Sequence, residues 1–362
     1  MKLCFLADAN SIHSFKWIEY FTDKDYEINW ISLTPNSFNT SKDIKFHLLK
    51  NFKSKPLNIL FNILFVRKLI RIIKPDVLHV HYAGVNGILG AFSGFYPFIL
   101  TAWGSDILIT AKSKVIKPLI KFVLKKADLI TCDAEHMKKA MIKLGTDFSK
   151  IHIIYFGIDI EKFSPGPKDE DLKEKLEIVN SPVVISLRNL EPIYNVETLI
   201  RAIPIVLKEI PKVKFIIAGK GLEEEKLKSL SKELKVFDNI RFIGFVPNDE
   251  LPKYLRTADV YISTSLSDAG IASSTAEAMA CGLPLVITIT GENKKWVKDG
   301  QGGYLIPVKN PKILAQEIIN LIKSENLRKD FGKINREIIK EKNNYFKEMA
   351  KMEEIYRGLI EK

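Results

Sequence analysis

Residues 267–282 read S-D-A-G-I-A-S-S-T-A-E-A-M-A-C-G and run directly into L-P-L-V-I-T at 283–288. The second part is a short apolar run of the kind that forms a buried strand. The first part sets small residues ahead of Ala276, Ala278, Met279 and Ala280, all good helix formers, and Gly282 is placed to end that helix in the left-handed conformation. Ser274 and Glu277 fit the S-x-x-E capping box, in which the serine accepts from a backbone N–H and the glutamate reaches back. Gly270, Ile271, Ala272 and Ser274 leave little between solvent and the first N–H groups of the helix, where a phosphate binds well. The stretch therefore predicts a helix and then a strand, with room for an anion at the start of the helix.

Working outward, strand-like runs alternate with amphipathic helical stretches along the whole chain. Lys2 to Ala7, Ile28 to Leu33, Val77 to His81, Phe98 to Ala102, Leu129 to Cys132 and Ile151 to Tyr155 read as strands. Helices such as Ser14 to Phe21 and Lys117 to Lys126 fall between them, the signature of a parallel sheet covered by helices. The pattern breaks at F-S-P-G-P-K, residues 163–168, and restarts with Pro182 to Leu187, Val213 to Ala218, Ile240 to Ile243, Val260 to Thr264 and Leu285 to Thr288. This predicts an α/β protein of two doubly wound, Rossmann-like domains, 1–165 and 166–342, facing a deep cleft where ligands bind beyond the strands' carboxyl ends. A final helix, 343–362, carries Tyr345, Phe346, Met349, Met352, Ile355, Tyr356 and Leu359 at helical spacing and is expected to pack back toward the first domain.

At 362 residues, each domain is large enough to bury its own core. Cys4, Cys132 and Cys281 lie far apart with no C-x-x-C spacing, and the amino terminus has only the apolar run Leu3 to Ala7 before Asp8. A reducing cytoplasm without a cleaved leader is the simplest expectation. Residues 77–105 lack Asp, Glu, Lys and Arg, yet Asn86, Pro97 and the glycines at 84, 87, 90 and 94 interrupt them, so they read as buried strand, helix and strand rather than a membrane span. From Lys42 to Ala127, fifteen Lys and Arg stand against three acids, which accounts for the whole net charge of +12. An anionic partner is therefore expected at the first domain.

The chain has neither G-x-G-x-x-G nor G-x-x-x-x-G-K-[ST], which removes the main support for dinucleotide redox chemistry and for P-loop ATPases. The one D-x-D, Asp169-Glu170-Asp171, reads as a solvated acidic run, and His79 and His81, two apart on a strand, have no acid or cysteine at ligand spacing, so no metal site is expected. The turn after the first strand, with Asn10, Ser11 and His13, suits either a ligand at a helix N-terminus or an ordinary cap.

Taken in order, D-A-N-S-I-H-S-F-K-W, D-V-L-H-V-H, T-A-W-G-S-D, F-G-I-D-I-E-K-F-S-P, A-G-K-G, G-F-V-P and above all S-x-S-D followed by E-A-M-A-C-G-L-P-L-V-I-T resemble the retaining glycosyltransferases of family 4, which have the GT-B fold. The resemblance covers nearly the whole chain and implies transfer of a sugar from a nucleotide diphosphate sugar, without metal or other cofactor, to a hydroxyl of a glycan or lipid-linked acceptor. Basic side chains and helix N-termini would stabilise the departing diphosphate. By the same likeness, the second domain holds the donor through Arg188, Asn189, Lys220, Gly270, Ile271, Ala272, Ser274 and Glu277, with Glu277 on the nucleotide ribose or, alternatively, in the capping box. Asn10, Ser11, His13, Trp103 and Asp106 would lie on the acceptor or sugar side, Trp103 as a stacking platform or as core, and Asp106 on a sugar hydroxyl or as a helix cap.

Three departures mark this chain. The family spaces two glutamates by eight, whereas the position eight before Glu277 is Ala269, so Asp268, nine before it, would take the first acid's place. Where a diphosphate-binding lysine is expected after Arg188 stand Tyr194 and Asn195, with Lys220 as a possible substitute, and Trp103-Gly104-Ser105-Asp106 stands where many relatives carry a histidine. Asp268, Glu277 and Arg188 form the expected catalytic set of a hexosyltransferase. A non-catalytic nucleotide-sugar or glycan-binding subunit and a sugar-nucleotide epimerase are the alternatives. The basic first domain suits peripheral contact with an anionic membrane at its cytoplasmic face, and no nucleic-acid motif is present.

Overall fold

The computed structural model describes residues 1–38, 43–50, 55–268 and 270–361. The chain divides into two compact units, residues 1–156 with 346–362, and residues 157–345.

The first unit is built on strands β1 (Lys2–Leu6), β2 (Glu27–Ser32), β3 (Ile44–Leu48), β4 (Val77–His81), β5 (Phe98–Ala102), β6 (Leu129–Cys132) and β7 (Ile151–Ile153). They pair in parallel in the order β3-β2-β1-β4-β5-β6-β7. Strands buried on both faces are continuously apolar rather than alternating, which is why β4 and β5 are wholly buried and residues 77–105 carry no charge. That segment forms β4, helix Val85–Ser93 and β5, and no helix among the described residues is long and apolar enough to cross a membrane. The helices used below are α1 (Ile12–Thr22), α2 (Lys55–Ile73), α3 (Val85–Ser93), α4 (Ser105–Leu108) and α5 (Lys117–Lys126). Strand order reverses between β1 and β4, so the carboxyl ends of those two strands flank the crevice where such sheets bind ligands.

The second unit repeats the plan with β8 (Val183–Leu187), β9 (Lys214–Ala218), β10 (Ile240–Gly244), β11 (Val260–Ser263), β12 (Leu285–Thr288), β13 (Lys298–Asp299) and β14 (Gly302–Ile306). Their order is β10-β9-β8-β11-β12-β14-β13, with the reversal between β8 and β11. Its core is aliphatic, with Val184, Ile217, Val260, Ile262 and Val286 of the strands packed against Leu199, Ile203, Leu314 and Ile318 of the covering helices.

The units part at Phe156, nine residues before the boundary read from the sequence. Residues 157–165 are fixed to the second unit by two distant guanidinium groups. Arg336 donates to the carbonyls of Phe163 and Ile160 at 2.7 Å each, and Arg256 donates to that of Ser164 at 2.7 Å. The terminal helix Tyr345–Ile360 contributes buried Met349, Met352 and Tyr356 to the first unit. There the Tyr356 hydroxyl meets His79 Nδ1 at 2.5 Å, and Glu348 Oε2 accepts from the N–H of Tyr155 at 2.9 Å. Lys362, at the end of the expected helix, lies outside the described residues.

Candidate functional site

The reversal between β8 and β11 brings together Arg188, the residue after β8, and Asp268, on the loop after β11. Arg188 Nη2 donates to Asp268 Oδ1 at 2.6 Å, and both side chains are less than a tenth exposed. The ring of Tyr194 lies over the guanidinium, 4.3 Å from Cζ to the ring centroid. Arg188 Nε is buried with no hydrogen-bond acceptor among the described residues.

The loops carrying these groups are stitched across the reversal. Thr264 Oγ1 donates to the carbonyls of Asn195 at 2.9 Å and Tyr194 at 3.1 Å, and the N–H of Leu266 donates to the carbonyl of Ile193 at 2.8 Å. Asn195 turns the chain at φ +48° and returns a bond from Nδ2 to Thr264 O at 3.3 Å. Beneath Arg188 runs the A-G-K-G loop after β9. The N–H of Leu190 donates to the carbonyl of Lys220 at 3.0 Å, and that of Glu223 to the carbonyl of Leu190 at 2.9 Å. A Cβ on Gly219, which sits at φ +130°, would come within 2.4 Å of the Arg188 carbonyl oxygen, and one on Gly221 within 2.3 Å of that of Leu190. Only glycine lets the two loops approach this closely. Asn189 and Lys220 are exposed on either side of this contact.

The helix after β11 runs from Ser273 to Ala280 and is preceded by Ala272 without a side-chain cap. The capping box is therefore corrected: Ser274 lies inside the helix, with its Oγ 2.8 Å from the hydroxyl of buried Tyr261, and Glu277 falls beyond the third helical position, from which it could reach back. The first-turn N–H groups are thus not taken by a capping side chain, with Gly270 and Ile271 buried just ahead of them. Glu277 is 5% exposed and accepts from Asn248 Nδ2 at 3.4 Å. Asn248 follows the G-F-V-P stretch at the carboxyl end of β10, and sequence reasoning passed it over. A polar residue at the end of a strand was the available signal. Gly282, at φ +77°, ends the helix as its place in the sequence predicts. Ala269 lies outside the described residues.

In the first unit, Ser11 caps α1 by accepting from the N–H of Ser14 at 3.4 Å, and Asn10 is exposed beside it. His13 stacks on Trp103, with centroids 5.2 Å apart and planes 27° apart. Across the β1 to β4 reversal, Ser14 Oγ meets His81 Nδ1 at 3.0 Å, whereas His81 Nε2 and Trp103 Nε1 are buried without a partner among the described residues. Burial pulls the pKa of His81 down to about 3, and burial with the nearby Lys16 charge pulls His13 to about 4, so both rings are neutral at pH 7. Asp106 is spent on the backbone. Its oxygens accept from the N–H groups of Ala83 at 2.8 Å and of Gly104 and Ile107 at 3.0 Å, so its carboxylate is engaged with backbone; Asp106 lies inside α4, which starts after Gly104 without a side-chain cap, and the expected helix cap is corrected. Asp169 caps helix Glu170–Lys175 by accepting from the N–H of Leu172, and Glu170 pairs with Lys173. Among the described residues no group of three or more His, Cys, Asp or Glu is arranged to hold a metal.

Two doubly wound units with these strand orders, the second carrying an arginine on glycine-supported loops at its reversal point, define a two-domain α/β protein of the GT-B fold. Residues 167–338 match the family model of glycosyl transferases group 1, and residues 2–134 match that of glycosyl transferase 4-like proteins. The chain belongs to the group 1, family 4-like glycosyltransferases. It is 30% identical over 247 residues to a glycosyltransferase of Methanocaldococcus jannaschii, an alignment spanning 67% of this chain and 62% of that relative. It is 25% identical over 290 residues to the N-acetyl-alpha-D-glucosaminyl L-malate synthase of Bacillus anthracis, spanning 79% of this chain and 75% of the synthase. The crystal structure of the Anabaena protein HepE in complex with UDP has the same fold, with a TM-score of 0.82 at 19% identity over 99% of this chain and 100% of that one.

Proposed function

We propose that the protein is a retaining, metal-independent hexosyltransferase that moves a sugar from a nucleotide diphosphate sugar to a hydroxyl of a glycan or lipid-linked acceptor. The observation that carries this reading is Arg188, a buried guanidinium held at the strand reversal of unit 2 beside an uncapped helix start and a nearly buried Glu277. A diphosphate leaving a sugar needs such fixed donors where its charge develops. Arg188 and the first N–H groups after Ala272 would hold the diphosphate, Glu277 the ribose, and Asn189, Gly270, Ile271 and Lys220 would border the donor. His13 and Trp103, with Asn10 and Ser11 beside them, would meet the acceptor on unit 1. Retention is ascribed to same-face attack assisted by the departing phosphate, with no side chain as base.

The acceptor is proposed to be presented by an anionic membrane at its cytoplasmic face. On unit 1, α2 and α3 pack together and α3 packs on α5, with Phe92 and Phe122 meeting at 4.9 Å between ring centroids. On α2, Leu60, Phe61, Leu64 and Phe65 are exposed along one stripe, and around α5 Ile109, Val115 and Leu119 are exposed. Arg67, Lys68, Arg71, Lys112, Lys114, Lys117, Lys121 and Lys125 accompany them, and none forms an ion pair with another described residue. Apolar side chains among unpaired cations suit the interfacial layer of an anionic bilayer.

A donor-panel assay tests the enzymatic reading. Nucleotide release should depend on added acceptor, and Glu277→Ala should lower kcat/KM by roughly 10- to 100-fold. Tight nucleotide-sugar binding without turnover would favour the binding subunit, for which the absent second lysine speaks, and turnover without acceptor would favour the epimerase.

A further inference from the structure

We propose that Asp268 and Tyr194 are positioning residues that hold the Arg188 guanidinium in one plane and turn its Nε–H toward the donor diphosphate; the role rests on the donor-site reading above. A guanidinium offers five N–H donors in a rigid fork. In this site one edge is fixed, with Nη2 on Asp268 at 2.6 Å. One face is fixed as well, by the Tyr194 ring at 4.3 Å. The Nε–H, on the other nitrogen of the same edge, is buried with no acceptor among the described residues, although Arg188 as a whole is 8% exposed. A buried donor left in this way is rare and costly, and an oxygen of a bound diphosphate would satisfy it through the fork geometry that favours arginine for phosphates.

The two holding residues share one frame. Tyr194 belongs to the loop after β8 and Asp268 to the loop after β11, and Thr264 ties these loops through the carbonyls of Tyr194 and Asn195. Asp268 thus takes a place other than the one resemblance gives it, since its carboxylate is engaged with Arg188 rather than presented to a sugar. Tyr194 stands where resemblance expects a lysine and supplies a surface in place of a charge. The chain has exchanged a second mobile cation for one cation locked in orientation, with Asp268 balancing its charge in a site that solvent barely reaches.

Calorimetry with UDP, GDP and ADP and the matching monophosphates separates this device from the donor site itself. For whichever base binds the wild type, Tyr194→Ala and Asp268→Ala should each weaken diphosphate binding by about tenfold or more while leaving the monophosphate within about threefold. Tyr194→Phe, which keeps the ring, and Asp268→Asn, which keeps an acceptor in an isosteric side chain, should recover most of the loss and show that the alanine effects are not misfolding. In turnover the alanine variants should lower kcat more than they change KM. Wild-type diphosphate affinity in both alanine variants, with loss in Arg188→Ala, would overturn the positioning role alone. Full diphosphate affinity in Arg188→Ala, or no binding of any panel member to the wild type, would overturn the donor-site reading itself.

Discussion

Arg188 and Glu277 were legible as candidates from their places after predicted strands and within E-A-M-A-C-G, because chemistry at the carboxyl ends of strands leaves a short-range mark. What holds Arg188 was not legible. Tyr194, 6 positions on, reaches it through the turn at Pro192–Tyr194 in the same loop, and Asp268, 80 positions on, only through the β8 to β11 reversal. The two glycines of A-G-K-G look like a turn in the sequence, whereas the structure uses them to seat the Arg188 loop. Gly219→Ala and Gly221→Ala should each cost about 1–3 kcal/mol in urea unfolding and weaken diphosphate binding, since a carbonyl oxygen must move to admit the methyl. Gly358→Ala, inside the terminal helix with nothing within 4 Å of its added carbon, should leave diphosphate binding unchanged without lowering stability.

At the scale of elements, strands buried on both faces were read almost to the residue. Val77 to His81, Phe98 to Ala102 and Leu285 to Thr288 coincide with β4, β5 and β12. The missed strands lack that continuous apolar signal. In β3 the sequence I-K-F-H-L is only half-buried, at the edge of its sheet. In β14, G-G-Y-L-I opens like a turn, yet a Cβ on Gly303 would lie 2.5 Å from the Leu285 carbonyl oxygen across the pair. The stripe on α2 carries the membrane proposal. Wild-type protein should co-sediment with phosphatidylglycerol vesicles at low salt and not with phosphatidylcholine vesicles, and Leu64→Glu with Phe65→Glu should reduce binding by about tenfold or more. Equal sedimentation with both lipids, or none with either, would remove the membrane from the account.

Across the whole molecule, two doubly wound units were legible from the restart of alternation after residue 181, whereas their border was not. Residues 157–165 read as the end of the first domain, and what fixes them to unit 2 is Arg256 and Arg336, far along the chain. Stability should carry the mark of the buried imidazoles in unit 1. His81 and His13 have folded-state pKa values of about 3 and about 4, below the ordinary 6.5, so the unfolded chain binds more protons between those limits. Stability is then fullest above pH 6.5 and falls as pH drops toward 4, with His81 alone contributing a slope of up to about 1.4 kcal/mol per pH unit. Urea unfolding at pH 7, 6 and 5 checks this, and His81→Gln should flatten the decline.

Everything proposed for the two units depends on retaining sugar transfer from a nucleotide diphosphate sugar held at Arg188 and Glu277. The most direct measurement is a proton NMR time course of wild-type enzyme with the donor that the panel selects and a hydroxyl acceptor. Nucleoside diphosphate and glycosylated acceptor should appear in equal amounts, with the anomeric configuration of the donor kept in the product and the rate unaffected by a chelator. Inverted configuration, or a donor that binds yet stays intact with every acceptor, would contradict it.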